Sequence, residues 1–337
     1  MSFGLGIEEE LLLVDAQTFA LSHDAPRIVA EVGAVKHDLY MALVESATPI
    51  CADADEGVRE LHAVREAIRA AGGTLIGAGV HPAAPFGEAP HVPEERYREV
   101  GAQLRGLARR TPTCALHVHV GMPDREATIN AYNAMREHLP LLQALAANSP
   151  FWHGQDSLMA SARAQMFRAY PRADIPPAFA TWDDYEATVA AVVQAGDLED
   201  YTFMWWDLRP HPKLGTFELR AMDAQSSLRD VRALAALVHA LARRGAEAPV
   251  ASPTPREALM ESSFRAARDG LDATLWWDGA LRPVAEIAAA VARDTGEDEV
   301  LRIAREGNGA ARQRAAFARG GMDEVLRTLV AEAEEAP

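Results

Sequence analysis

The sequence predicts an α+β fold, with strands gathered before residue 224 and helices after it. Three observations carry this. First, four short segments place chemically loaded residues at alternate positions: Glu8 and Glu10, His117 and His119, Asp207 and Arg209, Glu218 and Arg220. Alternate side chains of an extended chain share a face, so each segment reads as a strand with one apolar and one polar face. Second, from Ser226 onward the chain becomes rich in Ala, Glu and Arg with helical periodicity. Third, no repeat, low-complexity run or linker divides the 337 residues. One domain is therefore expected, with its core over 4–245 and a helical layer over 246–337.

Leu5 to Val14 reads as the first strand, with Glu8 and Glu10 on one face and Glu9 on the other, and Asp15 to Ser22 as the turn after it. Asp38 to Ile50 is a second strand candidate, in which Glu45 ends the apolar series Leu39, Met41, Leu43. Val58, Leu61, Val64 and Ile68 give helical spacing up to a stop at Gly72-Gly73, and Thr74 to Val80 follows as a buried strand. Gly77 and Gly79 do not make a dinucleotide loop, because no helix follows them. After a proline-rich loop, His81 to Pro93, a helix is expected over 94–110, with Arg96 either lining a site or, the preferred reading, decorating the helix, and then the histidine strand, Thr111 to Met122. Asp124 to Ala147 is a long helical pattern, expected to bend or break at Pro140. Phe151 to Pro177 reads as irregular, and Thr181 to Asp184 as a capping box opening a helix that ends near Gly196. Tyr201 to His211 and Thr216 to Asp223 form a hairpin across Pro212 to Gly215, and Ser227 caps a helix through Arg244.

Composition narrows the class. Hydrophobic residues at 49% supply a sizeable core, while a net charge of -16 and a pI near 5.1 leave no general basic surface for nucleic acid or anionic membrane. No run of about 18 apolar residues is present, and Met1 to Leu13 carries three consecutive glutamates and no basic leader, so a soluble cytoplasmic protein is expected. Cys51 and Cys114 are too few for a disulfide framework and read as small buried hydrophobes in a reduced compartment.

A single buried histidine is most often a hydrogen-bonded core residue. Four strands loaded with carboxylate, imidazole and guanidinium are a different matter, because unpaired buried charge is heavily penalised. Divalent metal and phosphate are the species that would compensate it. Carboxylates with an imidazole, and no cysteine cluster, select a hard cation, Mg²⁺ or Mn²⁺, over structural zinc. Such ions beside arginines equip a site for a triphosphate, and without a Walker loop the nucleotide would be held by the sheet and its metals. Glu45, on pattern alone, is equally a strand-end carboxylate in water.

Gly6 to Glu10 (GIEEE), Leu116 to Gly121 (LHVHVG), Trp206 to Pro210 (WDLRP) and Gly215 to Asp223 (GTFELRAMD) together resemble the bacterial carboxylate-amine ligases, the second family of glutamate-cysteine ligases. Val44 to Thr48, Gly77 to Pro82, Glu95 to Tyr97 and Ser161 to Arg163 support the likeness in the same order, over roughly residues 4 to 245. The resemblance implies a curved, mostly antiparallel sheet lining the active site and backed by helices, similar to the catalytic domain of glutamine synthetase. It implies ATP-dependent amide formation through an acyl phosphate, with glutamate and a small amine such as cysteine as expected substrates and a homodimer as an expected assembly. By position, Glu8, Glu10, Glu45, His119 and Glu218 look like metal ligands. Arg163, Arg209 and Arg220 look like phosphate or carboxylate binders, Arg209 and Arg220 in catalysis, with His117 a less definite member of the nucleotide site. Glu9 departs from the family, which usually has an apolar residue there. A metal-dependent amidohydrolase, whose sites also open on His-x-His, and a non-catalytic nucleotide-binding relative are the competing readings.

Overall fold

The computed structural model describes residues 3–87, 89–248, 250 and 253–337. Its main sheet begins with β1 (Leu5–Val14), which is followed by α1 (Ala25–Glu31), β2 (Val35–His37), β3 (Leu43–Ala47), α2 (Ala54–Ala70), β4 (Thr74–Ile76), α3 (Glu95–Leu104) and β5 (Ala115–Gly121). Then come α4 (Arg125–Ala146), the short hairpin β6 (Phe151–Trp152) and β7 (Gln155–Asp156), α5 (Ala162–Phe167), α6 (Trp182–Ala195), β8 (Leu208–His211), β9 (Thr216–Asp223) and α7 (Leu228–Glu247). The rest comprises α8 (Arg256–Asp269), a hairpin of β10 (Thr274–Trp277) and β11 (Ala280–Pro283), α9 (Val284–Thr295), α10 (Glu299–Glu306) and α11 (Gly309–Glu334).

The sheet order is β2-β3-β1-β5-β9-β8, antiparallel throughout, and β4 pairs with the end of β1 beyond the reach of β5. Its register brings distant polar residues opposite one another: Glu8 faces His117, Glu10 faces Glu45, and His119 faces Glu218, which also faces Arg209. The other sheet face is apolar. Ile7, Leu116, Val118, Phe217 and Leu219 bury themselves there in one cluster with Tyr132, Met135 and Leu139 of α4 and Leu234 and Val238 of α7. Each such side chain contributes about 1.5–3 kcal/mol by leaving water, so this face fixes the register and the register fixes the site.

Several elements depart from expectation for visible reasons. The segment 38–50 is not one strand: β2 and β3 pair as a hairpin, and residues 38–42 are its connection, closed by Leu43 N–H donating to Tyr40 C=O. Helix α4 runs unbroken through Pro140, where residues 139–146 are all buried and packing outweighs the lost hydrogen bond. Ser227 sits at the α7 N-cap without a side-chain capping bond, whereas Thr181 and Asp184 form the full capping box of α6. Helix α11 breaks at Gly320 and Gly321, and its second half packs Val325, Leu326 and Leu329 into one cluster with Leu12, Val14 and Ile76 of β1 and β4. Among the described residues no helix is long and apolar enough to cross a membrane.

Candidate active site

The polar face of the sheet lines a cavity of about 330 Å³ that gathers Glu8, Glu10, Glu45, His117, His119, Arg163, Arg209, Glu218 and Arg220. Glu8, His119 and Glu218 approach most closely: each offers a ligand atom, and these lie within 4.8 Å of one another. His119 Nδ1 lies 3.3 Å from Thr216 Oγ1, and a proton donated there leaves the Nε2 lone pair directed at Glu8, 3.4 Å away, and Glu218, 4.0 Å away. Nε2 of His119 and Nδ1 of His117 are buried without a hydrogen-bond partner, which is unusual unless a further ligand is served. The donor set fits a hard divalent cation.

The carboxylates split into two electrostatic groups. Burial alone would raise Glu8 and Glu218, but His117 and His119 beside Glu8, and Arg220 and Arg209 beside Glu218, outweigh it and hold both well below the usual range. At the other end, burial and the Asp38 carboxylate raise Glu10, while burial followed by Glu8 and Asp38 pushes Glu45 up to about 8. Burial and the neighbouring Arg220 lower His117 to about 4, so it is a neutral imidazole at physiological pH. Crowded carboxylates that retain protons are the groups a second cation would ionise.

A pH dependence follows. Glu45 holds its proton in the folded chain up to about 8, against an ordinary value of 4.5, so the folded state binds more protons and stability falls as pH rises across that window. A cation bound at Glu45 would displace the proton and offset the penalty. In chelator-treated protein the thermal midpoint is expected to drop between pH 6 and pH 8.5, and the rise produced by Mg²⁺ to grow over the same range. A midpoint indifferent to both would place Glu45 outside the cation's reach.

The arginines divide by occupation. Arg209 grips one oxygen of Glu218 through Nε and Nη2, at 3.1 and 2.7 Å, and donates Nη1 to the carbonyls of Thr202 and Met204. Its hydrogen-bonding groups are thus taken up by the protein, and its position suits holding Glu218 more than gripping a substrate. Arg220 donates to the other Glu218 oxygen and keeps its Nε unpaired. Opposite His117 the β5–β9 register shifts by one residue, a bulge that re-aims the Arg220–Ala221 stretch. Arg163 follows Ser161, whose hydroxyl caps α5, and its guanidinium reaches the carbonyls of Arg220 and Ala221 with Nε unpaired. Behind it lies Asp223, 3.7 Å from the guanidinium and held by Ser149, Ser161 and the Asn148 N–H.

The strand expected over Thr74 to Val80 ends at Ile76, and close packing accounts for the two glycines beyond it. A Cβ on Gly79 would lie 2.6 Å from the Asp223 carboxylate, and one on Gly77 only 2.2 Å from the Gln225 carbonyl oxygen. Glu9 points away from the cavity, as alternation requires, into a bidentate pair with Arg65 at 3.0 and 2.6 Å. Asp207 is not with Arg209: it precedes β8, accepts from Gln143 of α4, and does not line the cavity. Arg96, expected to be decoration, lines the cavity mouth, close to Thr202 and over the Phe203 ring. Asp38, Tyr97, Trp205 and His211 also line it, unassigned from sequence. Asp38 has the wrong parity relative to Glu45 for one continuous strand, and only the hairpin connection turns it inward.

An antiparallel sheet backed by helices, with carboxylates, histidines and arginines on its open face, is the arrangement that the resemblance to the carboxylate-amine ligases implied. The family model for glutamate-cysteine ligase family 2 matches residues 4–332, and the chain belongs to that family. A provisionally named glutamate-cysteine ligase 2-3 of Rubrobacter xylanophilus is 40% identical over 354 aligned positions, spanning 98% of this chain and 97% of the relative. The glutamate-cysteine ligase of Halobacterium salinarum is 36% identical over 289 positions, 80% of each chain. The glutamate-cysteine ligase of Francisella tularensis, solved in complex with AMP, superposes with a TM-score of 0.74 at 14% identity, covering 100% of this chain and 90% of that one. The fold is therefore shared well beyond recognisable sequence.

Proposed function

We propose that this site joins the side-chain carboxylate of glutamate to the amino group of a second amino acid such as cysteine, at the expense of ATP. The carboxylate oxygen attacks the γ-phosphorus and ADP leaves; the amine then attacks the acyl carbon, loses a proton and expels phosphate. The observation that carries this reading is the convergence of Glu8, His119 and Glu218 within 4.8 Å on a cavity that Arg163 and Arg220 also line. Mg²⁺ or Mn²⁺ held by that trio, and at a second position by Glu10, Glu45 and Asp38, would neutralise and orient the triphosphate. Arg220 and Arg163, each with an unpaired Nε, face the transferred phosphoryl, where a planar donor meets developing charge at two points. Arg209 fixes Glu218, and neutral His117 closes the wall between Glu8 and Glu10.

Two buried free thiols suit a reducing compartment such as the cytoplasm. The packing of α11 against β1 and β4 supports reading the described residues as one catalytic unit.

The test is a matrix of carboxylic acids against amines, scoring ADP and confirming the amide by mass. Glutamate with cysteine is expected to yield ADP only with Mg²⁺ or Mn²⁺, and chelation to lower the rate at least a hundredfold, on the order of one lost electrostatic element. Amide hydrolysis without ATP would establish the amidohydrolase reading instead. Tight nucleotide binding without ADP from any pair would make the protein a non-catalytic relative.

A further inference from the structure

The cavity is chemically two-sided. Besides its charged groups the cavity is lined by Leu39, Val100, Leu104, Phe167, Tyr170 and Trp205, most of which belong to one apolar cluster: the Phe167 and Tyr170 rings are 5.1 Å apart, and Tyr170 and Trp205 6.3 Å. Two of the phenols among its neighbours spend their hydroxyls on backbone carbonyls. Tyr40 donates to the Ala108 carbonyl at 2.7 Å and Tyr97 to the His37 carbonyl at 2.6 Å. What this apolar lobe mainly presents is ring and aliphatic carbon, which favours an apolar group over one with many polar atoms to satisfy.

The lobe also borders the reacting centre. Leu39 follows Asp38 directly, Tyr97 lies beside Asp38 and Glu45, and the Arg163 guanidinium stacks 5.4 Å over the Phe167 ring. A nucleotide base is separated from its γ-phosphorus by a ribose and two further phosphates, and adenine brings ring nitrogens and an amino group that need partners. An amine, by contrast, must arrive beside the acyl phosphate with its side chain adjacent. Building on the ligase reading above, we infer that this apolar lobe receives the side chain of the acceptor amine, and that the enzyme favours acceptors with branched or aromatic apolar groups over cysteine.

The experiment holds ATP, Mg²⁺ and glutamate fixed and varies the acceptor through alanine, cysteine, leucine and phenylalanine, in the wild type and in Val100→Trp. Val100 lies half-buried on α3, so the larger ring narrows the lobe without entering the main core. Leucine or phenylalanine is expected to exceed alanine in kcat/KM by about tenfold or more, the usual yield of added apolar contact in a pocket. In Val100→Trp that ratio should fall toward one while the KM for ATP stays within about twofold. ADP formation with a flat acceptor profile overturns the lobe assignment and leaves the ligase reading intact. A raised KM for ATP with an unchanged acceptor ratio places the base in the lobe and also overturns it. No ADP with any acid and amine overturns the ligase reading, and this inference with it.

Discussion

Replacing Glu218 by glutamine is expected to lower turnover on the order of a thousandfold, the largest effect of any single carboxylate in the site. Glu218 is 1% exposed and stands at the junction of three functions. One oxygen is held by Arg209 and the other by Arg220, while the carboxylate also lies within ligand distance of Glu8 and His119. The amide keeps the volume but removes the charge, leaving two buried guanidinium groups without their shared anion. Breaking a buried pair from one side costs about 3–5 kcal/mol, so the thermal midpoint should fall as well. The two consequences separate by measurement: turnover is assayed well below the lowered midpoint, and Mg²⁺ affinity is read by titration, with a weakening of about ten- to a hundredfold expected. Retention of activity within tenfold would show that neither cation nor phosphoryl charge depends on this residue.

Arg65→Met should produce the largest loss of stability outside the cavity, about 3–5 kcal/mol in urea unfolding. Arg65 is fully buried beneath β1 and answers both oxygens of Glu9 while donating to the carbonyls of Ser226 and Gln225. Without it a carboxylate is stranded in the core between the two glutamates that face the site. The double variant Glu9→Leu with Arg65→Met removes both charges, and it is expected to recover about 2 kcal/mol or more of what the single variant loses. A single variant that unfolds within 1 kcal/mol of wild type would mean that water reaches Glu9.

Much of this was legible in the sequence because strand parity is a strict rule. Glu8 with Glu10, His117 with His119 and Glu218 with Arg220 line the cavity as alternation requires, and β9 spans Thr216–Asp223 as read. The Glu9–Arg65 pair carried half a signal: Glu9 had the opposite parity, but Arg65 falls beside Val64 and Ile68 on a helix, where a long side chain is usually read as solvated. The β10–β11 hairpin went unseen although Asp278-Gly279, both at positive φ, is the two-residue turn that its sequence advertises. There the alanine- and arginine-rich surroundings dominated a short local cue. Asp38 and Trp205 were beyond reach, and Arg96 was left between site and surface, for a different reason, since they come from loops and a helix end whose direction only tertiary packing decides.

The placement of β1 in the middle of the sheet has a consequence for how the chain matures. Its neighbours β3 and β4 follow closely, but β5 arrives later, with Ala115 N–H donating to Glu10 across 105 residues, and the β9 residue Glu218 later still. On the ribosome the Leu5–Glu9 part of one edge of β1 therefore waits uncovered while β5 is still being made. Such long-range pairings are slow to form and leave an open strand edge exposed to association with other chains. Interrupting synthesis before β5 should yield insoluble fragments, and the site's first ligands to be translated are among the last to find their partners.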